Sequence, residues 1–505
     1  MSSVGRVHIE FHRVQSWLFA VPRLRAMVGA NVLLGEALRV ELPRLARKTG
    51  TWSLAPVEGH LLAADSADPL VDHDDPAEDA RNGILARDGG HFEARFASGA
   101  ENFADEATAY LRRELPGLSF RLFVDDVERK RSAVHLSTEL PVLAPCEWTG
   151  RGLASIDVQQ GDERASVSLD VSHRHEAAKR AEDGAASDLA SLLIARTRLK
   201  ELSAPQTFKE LVGSGYLALI HADGNGVGAG TPEAEIARPA FFHRNRVLLR
   251  RALQKAIDHA CEGASSAPLM PLMLGGDDLL LVCRAATALP FVVTLCENLA
   301  ELQRGDASGF TLTLGVGVVF AKHTIPINRL HDVAEQLASS SKRRFRGFAP
   351  DERQSVVDWA VYTTAWVDDP EEMRRRDWTR GAGNHQSVLS QRPVTVLGER
   401  LDSMKGLIAG AKALDGAPRS QLRYLVEQLP RGRALAELVF AELSEKARKA
   451  LGTAGIRDVQ DVWMRSTDGG PWLTQLLDLV EVSEIERLGG ADDTHRAQET
   501  IDGHA

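Results

Sequence analysis

Two short segments carry the residues from which chemistry could be built. Asp223-Gly224-Asn225-Gly226-Val227-Gly228 follows directly on the apolar run Tyr216 to His221. Glycines after a strand let backbone N–H groups approach phosphate oxygens while the aspartate holds a cation. A plain glycine turn would read the same way, so the segment needs a companion. Gly275-Gly276-Asp277-Asp278 supplies one, because it separates the apolar runs Leu269 to Leu274 and Leu279 to Cys283 as a hairpin turn would. Two adjacent carboxylates at a tight turn repel each other unless something neutralises them, and a divalent cation is the usual solution. If Asp223 converges with Asp277 and Asp278, the three carboxylates suit one or two Mg²⁺ (or Mn²⁺) ions of the kind used for in-line phosphoryl transfer.

Convergence depends on the elements around these turns. The spacing predicts a helix from Phe242 through Ala260, with Phe242, Leu249, Leu253, Ala256 and Ile257 on one face. A second helix is expected over about 289 to 303, a strand over Thr311 to Phe320 and a helix over Ile327 to Lys342. With the two strands of the hairpin, this order is β-α-β-β-α-β, the split arrangement in which the first strand and the hairpin are central neighbours. It is the geometry of a nucleotide-polymerising palm.

A similar order is expected upstream. Val7 to Phe11 alternates as a strand does, and about Gln15 to Leu42 reads as helix, break and helix, interrupted at Pro22 and Gly29. His91 to Phe96 and Leu118 to Val124 alternate as strands on either side of a helix carrying Phe103, Ala107, Tyr110 and Leu111. The fold class expected is therefore α+β, with an N-terminal α+β domain, a ferredoxin-like palm and a helical C-terminal domain. The boundaries predicted are 1–143 for the first domain, a connector over 144–205, the GGDD palm over 206–368 and the helical domain over 369–505. Helices are expected there at Leu401 to Ala413, Ser420 to Leu429 and Leu435 to Leu451. Residues 60–88 read as a long loop or insertion, and the last 15 residues as frayed.

Composition bounds the function. The 505 residues carry 60 Lys and Arg against 70 Asp and Glu, a net charge of −10 that argues against the chain gripping RNA alone. Hydrophobic residues at 44% and charged residues at 26% exclude wholesale disorder and fibrous classes. Four cysteines are too few for a disulfide framework, and neither a signal peptide nor an uninterrupted apolar window of about 18 residues is found. A cytoplasmic, non-membrane protein is the expectation.

The GGDD turn, Gly315 to Ala321 with Pro326 to Leu330 and Ala334 to Leu337, Val356-Val357-Asp358-Trp359 and Gln391 to Thr395 together resemble the large polymerase/cyclase subunit of type III CRISPR effector complexes. This Cas-ten family is related to the GGDEF nucleotide cyclases. Gln15 to Phe19, Arg23 to Arg25 and Gly29-Ala30-Asn31 resemble its first palm, where a Gly-Ala-Ser turn helps hold a second nucleotide and Asn31 here replaces the serine. The resemblance thus implies two ferredoxin-like palm domains, the first degenerate over 1–143 and the second catalytic, with a remnant of a zinc-knuckle region in the connector between them. Asp88-Gly89-Gly90-His91 stands where a first palm could carry paired carboxylates and lacks the acidic pair, so one catalytic centre is expected.

The resemblance implies that Asp223, Asp277 and Asp278 hold Mg²⁺ and activate a 3′-hydroxyl against the α-phosphate of ATP, with Gly224, Asn225, Gly226, Gly228, Gly275 and Gly276 shaping the phosphate-facing turns. Lys342 resembles a lysine aimed at the triphosphate, with a solvated lysine as the other reading. His221, Phe241 and Phe242 border a base or pack in the core, and Arg23 and Arg25 meet the acceptor nucleotide or lie on the surface. Partners implied are other effector-complex proteins, with guide and target RNA acting through them. Two departures stand out. Cys146-Glu147-Trp148-Thr149 cannot complete a cysteine knuckle, so no structural zinc is expected. The sequence opens on the palm-like strand, so no HD phosphohydrolase domain and no DNA cleavage are expected of it, and His73-Asp74 and His331-Asp332 read as structural. The activity expected is synthesis of linear or cyclic oligoadenylates; a nucleotide-binding scaffold and a stand-alone cyclic-dinucleotide synthase are the alternatives.

Overall fold

The computed structural model describes residues 5–21, 23–54, 67–72, 74–129, 144–160, 163–183, 188–205, 207–305, 309–363, 369–382, 385–465 and 470–488. His73, most of the 60–88 loop's first half and the last 15 residues lie outside them.

Strand β1 (Gly5–His12) alternates strictly between buried and half-buried positions. Val7, Ile9 and Phe11 enter a core, while Arg6, His8, Glu10 and His12 share the opposite face. Helix α1 (Leu24–Glu36) follows, then β2 (Ile84–Ala86), β3 (His91–Phe96), α2 (Ala100–Glu114) and β4 (Ser119–Val124). The sheet order is β2-β3-β1-β4, extended by Val127–Glu128, with every pairing antiparallel. Phe92, Phe96 and Phe103 fill the core beneath it, with the Phe96 and Phe103 rings 4.8 Å apart.

Gly29 does not break its helix. Helix α1 runs through it, because α3 (Leu169–Glu182) crosses so closely that a Cβ on Gly29 would stand 1.8 Å from the Arg174 carbonyl oxygen. Residues expected as a loose connector therefore pack firmly: Arg174 is fully buried, donates to the Trp17 carbonyl at 2.8 Å and lies over the Trp17 ring. Gly29→Ala is expected to destabilise the chain by about 1–3 kcal/mol or more through overpacking, read as a lowered Tm. An unchanged melt would show that the α1–α3 crossing can spread freely.

The second sheet is built from β5 (Leu217–Gly224), β6 (Leu269–Leu274), β7 (Asp278–Arg284), β8 (Leu314–Ala321) and β9 (Val356–Val361) in the order β9-β8-β5-β7-β6, with Val394–Thr395 outside β9. Helices α4 (Arg238–Ala260) and α5 (Ala285–Leu302) supply Leu248, Leu253, Phe291 and Leu295 against Ile220, Leu281 and Val318 on one face. Helix α6 (Ile327–Arg346) lies against the other, at Gly317, where a Cβ would stand 2.1 Å from the Ala334 carbonyl. That second face, with Leu219, Val282 and Val319, joins one continuous apolar cluster with the first sheet. The expected boundary near residue 206 is thus no break in the core. Helix α5 is long and apolar enough to cross a membrane by composition, yet half of it is buried, with Leu289, Phe291, Val292, Leu295 and Leu299 in this protein's core.

Beyond residue 370 the helices run Met404–Ala413, Arg419–Gln428, Arg433–Glu442 and Glu445–Thr453. The expected 435–451 helix is two, divided where Ser444 accepts from the Ala447 N–H and starts a new one. A small sheet of Thr379–Arg380, Ser387–Val388, Trp472–Leu473 and Met464–Arg465 was not foreseen, since two-residue strands carry no periodic signal.

Candidate functional site

Strand register brings the carboxylates together. Asp278 opens β7 directly opposite Asp223 on β5, which in an antiparallel pair sets the Cβ atoms about 4.5–5.5 Å apart. Asp277 sits in the turn ahead of them. There the Gly224 N–H donates to the Asp277 carbonyl at 3.0 Å and the Gly275 N–H to the Asp278 carbonyl at 2.7 Å. A Cβ on Gly224 would stand 2.7 Å from Asp277 Oδ2, so glycine lets the turn close on β5.

Two cavities meet at this point. The first, of about 290 Å³, is lined by Asn31, Arg39, Gly275, Asp278 and Glu335 among others. The second, of about 350 Å³, is lined by His8, His91, Gly228, Phe242 and Gly276 among others. Both share Asp223, Asp277, Asp88 and Gly89. The Asp88-Gly89 turn of the first sheet reaches the hairpin of the second, since a Cβ on Gly276 would be 3.5 Å from Asp88 Cβ.

The other expected residues divide. Asn31 lines the first cavity and its side-chain amide donates to the Leu272 carbonyl. Gly29 and Ala30 line neither: the first abuts Arg174 and the second is fully buried. Asn225 is buried as well, with its N–H donating to the Thr313 carbonyl at 2.8 Å and its amide to Thr313 Oγ1 at 3.2 Å, so it anchors the loop. Gly226 takes φ 69°, a conformation glycine adopts without strain. Lys342 is ion-paired with Asp223 Oδ2. Arg23 lies over the Trp148 ring and Arg25 pairs with Glu182, both away from the cavities. Phe241 packs edge-on against Phe310. His331 is buried against Phe19, and Cys146 is a buried free thiol.

His221 and Gln15 do what the sequence did not suggest. His221 Nε2 lies 3.0 Å from Asp278 Oδ1, and Gln15 Nε2 donates to Asp278 Oδ2 at 3.0 Å, so Asp278 is gripped from both sides. Arg39 was missed altogether. It lines the first cavity and a neighbouring one, has no ion pair or hydrogen bond among the described residues, and burial lowers its pKa.

Charge is left uncompensated at the junction. Burial, then the like charges of Asp223 and Asp278, push the Asp277 carboxyl up to about 7, with Lys342 opposing only in part. Asp223 is raised too, by burial and by Asp278. Three oxygen ligands short of positive charge fit a hard divalent cation such as Mg²⁺. The sign of the pH effect follows. Asp277 titrates from 3.8 in the unfolded chain to about 7 in the folded one, so the metal-free fold binds the extra proton between those values and loses that stabilisation as pH rises through 7. Mg²⁺ must displace the proton at pH 6 but not at pH 8. The rise in Tm on adding Mg²⁺ is therefore expected to be larger at pH 8; equal or smaller rises would contradict it.

Residues 216–347 match the family model of Cas10/Cmr2, second palm domain. The resemblance carried by the GGDD turn is shown by this match. No curated protein matches the chain. Among solved structures it is similar to the apo Csm1-Csm4 cassette, at 15% identity and a TM-score of 0.48 over 96% of this chain and 70% of that one. It is also similar to Csm1 of T. onnurineus, at 14% identity and a TM-score of 0.46 over 96% and 69%. For the Csm1-Csm4 cassette in complex with cA4 the values are 13% and 0.39 over 68% of this chain, which spans 53% of that one.

Proposed function

We propose that the chain is a metal-dependent nucleotidyltransferase that joins ATP into linear or cyclic oligoadenylates, as the large subunit of a type III CRISPR-like effector complex in antiviral defence. The observation that carries this is the meeting of two cavities at three converging carboxylates, one with a pKa held near 7. The palm match over 216–347 supports it. In this reading the first sheet is a degenerate palm, the division 1–143, 144–205, 206–368 and 369–505 describes functional parts that share a core, and the protein works in the cytoplasm beside other effector proteins and their RNA.

Mg²⁺ held there would neutralise charge on the triphosphate and lower the pKa of a bound hydroxyl. The chain's own residues do the rest. Asp223 and Asp277, which border both cavities, would hold the ion. Asp278 borders the first cavity alone, and His221 and Gln15 fix its orientation so that its charge faces an acceptor 3′-hydroxyl. Lys342 keeps Asp223 aligned. Gly228 and Gly276 leave room for donor phosphates in the second cavity, and Phe242 offers a ring to the base or ribose. Arg39 and Asn31 face the acceptor nucleotide, with Arg39 free to meet a phosphate.

ATP binding tests the assignment. Equilibrium dialysis with a non-hydrolysable ATP analogue and Mg²⁺ is expected to give two nucleotides per chain. Arg39→Ala is expected to weaken one of the two by about tenfold or more, the value of a charge-assisted hydrogen bond. A single nucleotide per chain, or two unaffected by Arg39→Ala, would overturn the two-cavity reading.

A further inference from the structure

The open face of the first sheet carries a second cluster of ligand-type side chains. Residues two apart on a strand share a face, so His8, Glu10 and His12 project together from β1. On β3, His91 pairs directly opposite Glu10. We infer that His8, Glu10 and His91 form a binding site for one divalent transition-metal ion of the Zn²⁺ class, with His12 beside Glu10.

The distances fit such an ion. One ligand atom from each of His8, Glu10 and His91 lies within 4.8 Å of the others. His8 Nε2 and His91 Nδ1 stand 3.3 Å apart. Two nitrogens bound tetrahedrally at about 2.0–2.1 Å are separated by about 3.3–3.4 Å. Glu10 lies beside the pair, with Oε1 3.9 Å from the other His8 nitrogen, Nδ1, and Oε2 3.6 Å from His12 Nε2, so its carboxylate meets the ion by a turn of its own side chain. His12 Nε2 is shut off from solvent and has no hydrogen-bond partner among the described residues. A lone hydrogen bond between two imidazoles would explain the His8–His91 distance. It would not gather a carboxylate and a third imidazole on the same side.

Neighbours hold the first imidazole in place. The His8 ring is stacked between His91 at 5.5 Å and Phe123 at 5.9 Å, which limits its rotation. Imidazole nitrogens with one carboxylate select Zn²⁺, Co²⁺ or Ni²⁺ over Mg²⁺, so this site and the three aspartates differ in the metal they prefer. It is also separate from the cysteine knuckle that Cys146 cannot form. His8 and His91 line the second cavity together with Asp223 and Asp277, so the ion borders the space assigned to the donor nucleotide. The site rests on the first sheet alone and stands whether or not the chain turns over ATP.

Co²⁺ titration of the metal-stripped full chain tests it. One equivalent is expected to give the intense visible absorption of four- or five-coordinate Co²⁺, removed by Zn²⁺ and untouched by excess Mg²⁺. The signal is expected to survive in Asp277→Asn/Asp278→Asn. It should weaken at least 100-fold in affinity in His8→Ala and in His91→Ala, with Glu10→Gln as a milder variant that keeps side-chain volume. Far-UV spectra of the stripped variants confirm that each is folded. Weak, pale absorption in the parent chain, an unchanged signal in all three first-sheet variants, or loss of the signal in Asp277→Asn/Asp278→Asn would each overturn the site.

Discussion

Asp277→Ala/Asp278→Ala is expected to lower oligoadenylate formation from ATP and Mg²⁺ by at least about a thousandfold, beyond the 10²–10³ that follows loss of a single preorganised electrostatic group. The same variant is expected to melt no lower than the parent without metal. Asp277, with its carboxyl pushed up to about 7, carries part of a charge at neutral pH against both burial and two like charges, so removing it relieves repulsion. The gain in Tm from Mg²⁺ should vanish at the same time. A catalytic loss without loss of stability separates a functional cluster from a structural one. If the variant lost activity only because it unfolded, its metal-free Tm would fall.

The second large effect concerns stability. Asp74→Ala is expected to cost about 3 kcal/mol, because it removes one of the two carboxylates that face each of two cations held away from water, Arg87 and Arg246. The Asp74 side chain is 2% exposed, accepts from Arg246 at 2.9 Å and is ion-paired with Arg87. Burial would raise its pKa, but Arg246, His243 and Arg87 hold it well below the usual carboxylate range. Arg246 in turn reaches Asp88 Oδ2 at 3.3 Å, so the chain Asp74–Arg246–Asp88 ties the first sheet's turn to α4 beside both cavities. Nucleotide binding should therefore weaken together with stability. Chemical denaturation of the variant checks the first and dialysis the second; a loss under about 1 kcal/mol would mean that Asp79 and Asp88 take over both cations.

Much of this site was legible because it lies where local signals are strongest. The alternation and apolar runs around Asp223 and Gly275 to Asp278 set strand, turn and strand, and the split order then dictates that they meet. The register that faces Asp278 with Asp223 belongs to the pairing of β7 with β5, which the hairpin turn between β6 and β7 does not itself set; burial of both strands pins it. What escaped was long-range packing. Gly29 reads as a helix breaker, yet it is a contact for a helix some 140 residues later. Arg39, His221 and Gln15 carry no spacing signal at all, since their roles come from the two sheets being brought face to face. Asn225 reads as a phosphate-loop residue and is an anchor, because its amide finds Thr313 across the loop. Glu10 and its histidines sit in an alternating strand whose polar half looks like any solvated face, and only the pairing of Glu10 with His91 brings the fourth side chain to them.

The most direct measurement is mass spectrometry of the products after the purified chain is incubated with ATP and Mg²⁺ or Mn²⁺, alone and with effector proteins and target RNA, beside Asp277→Ala/Asp278→Ala. Linear or cyclic oligoadenylates that disappear in the variant are the predicted result. No product from any of the four nucleoside triphosphates under any of these conditions, or the same products from the variant, would contradict it.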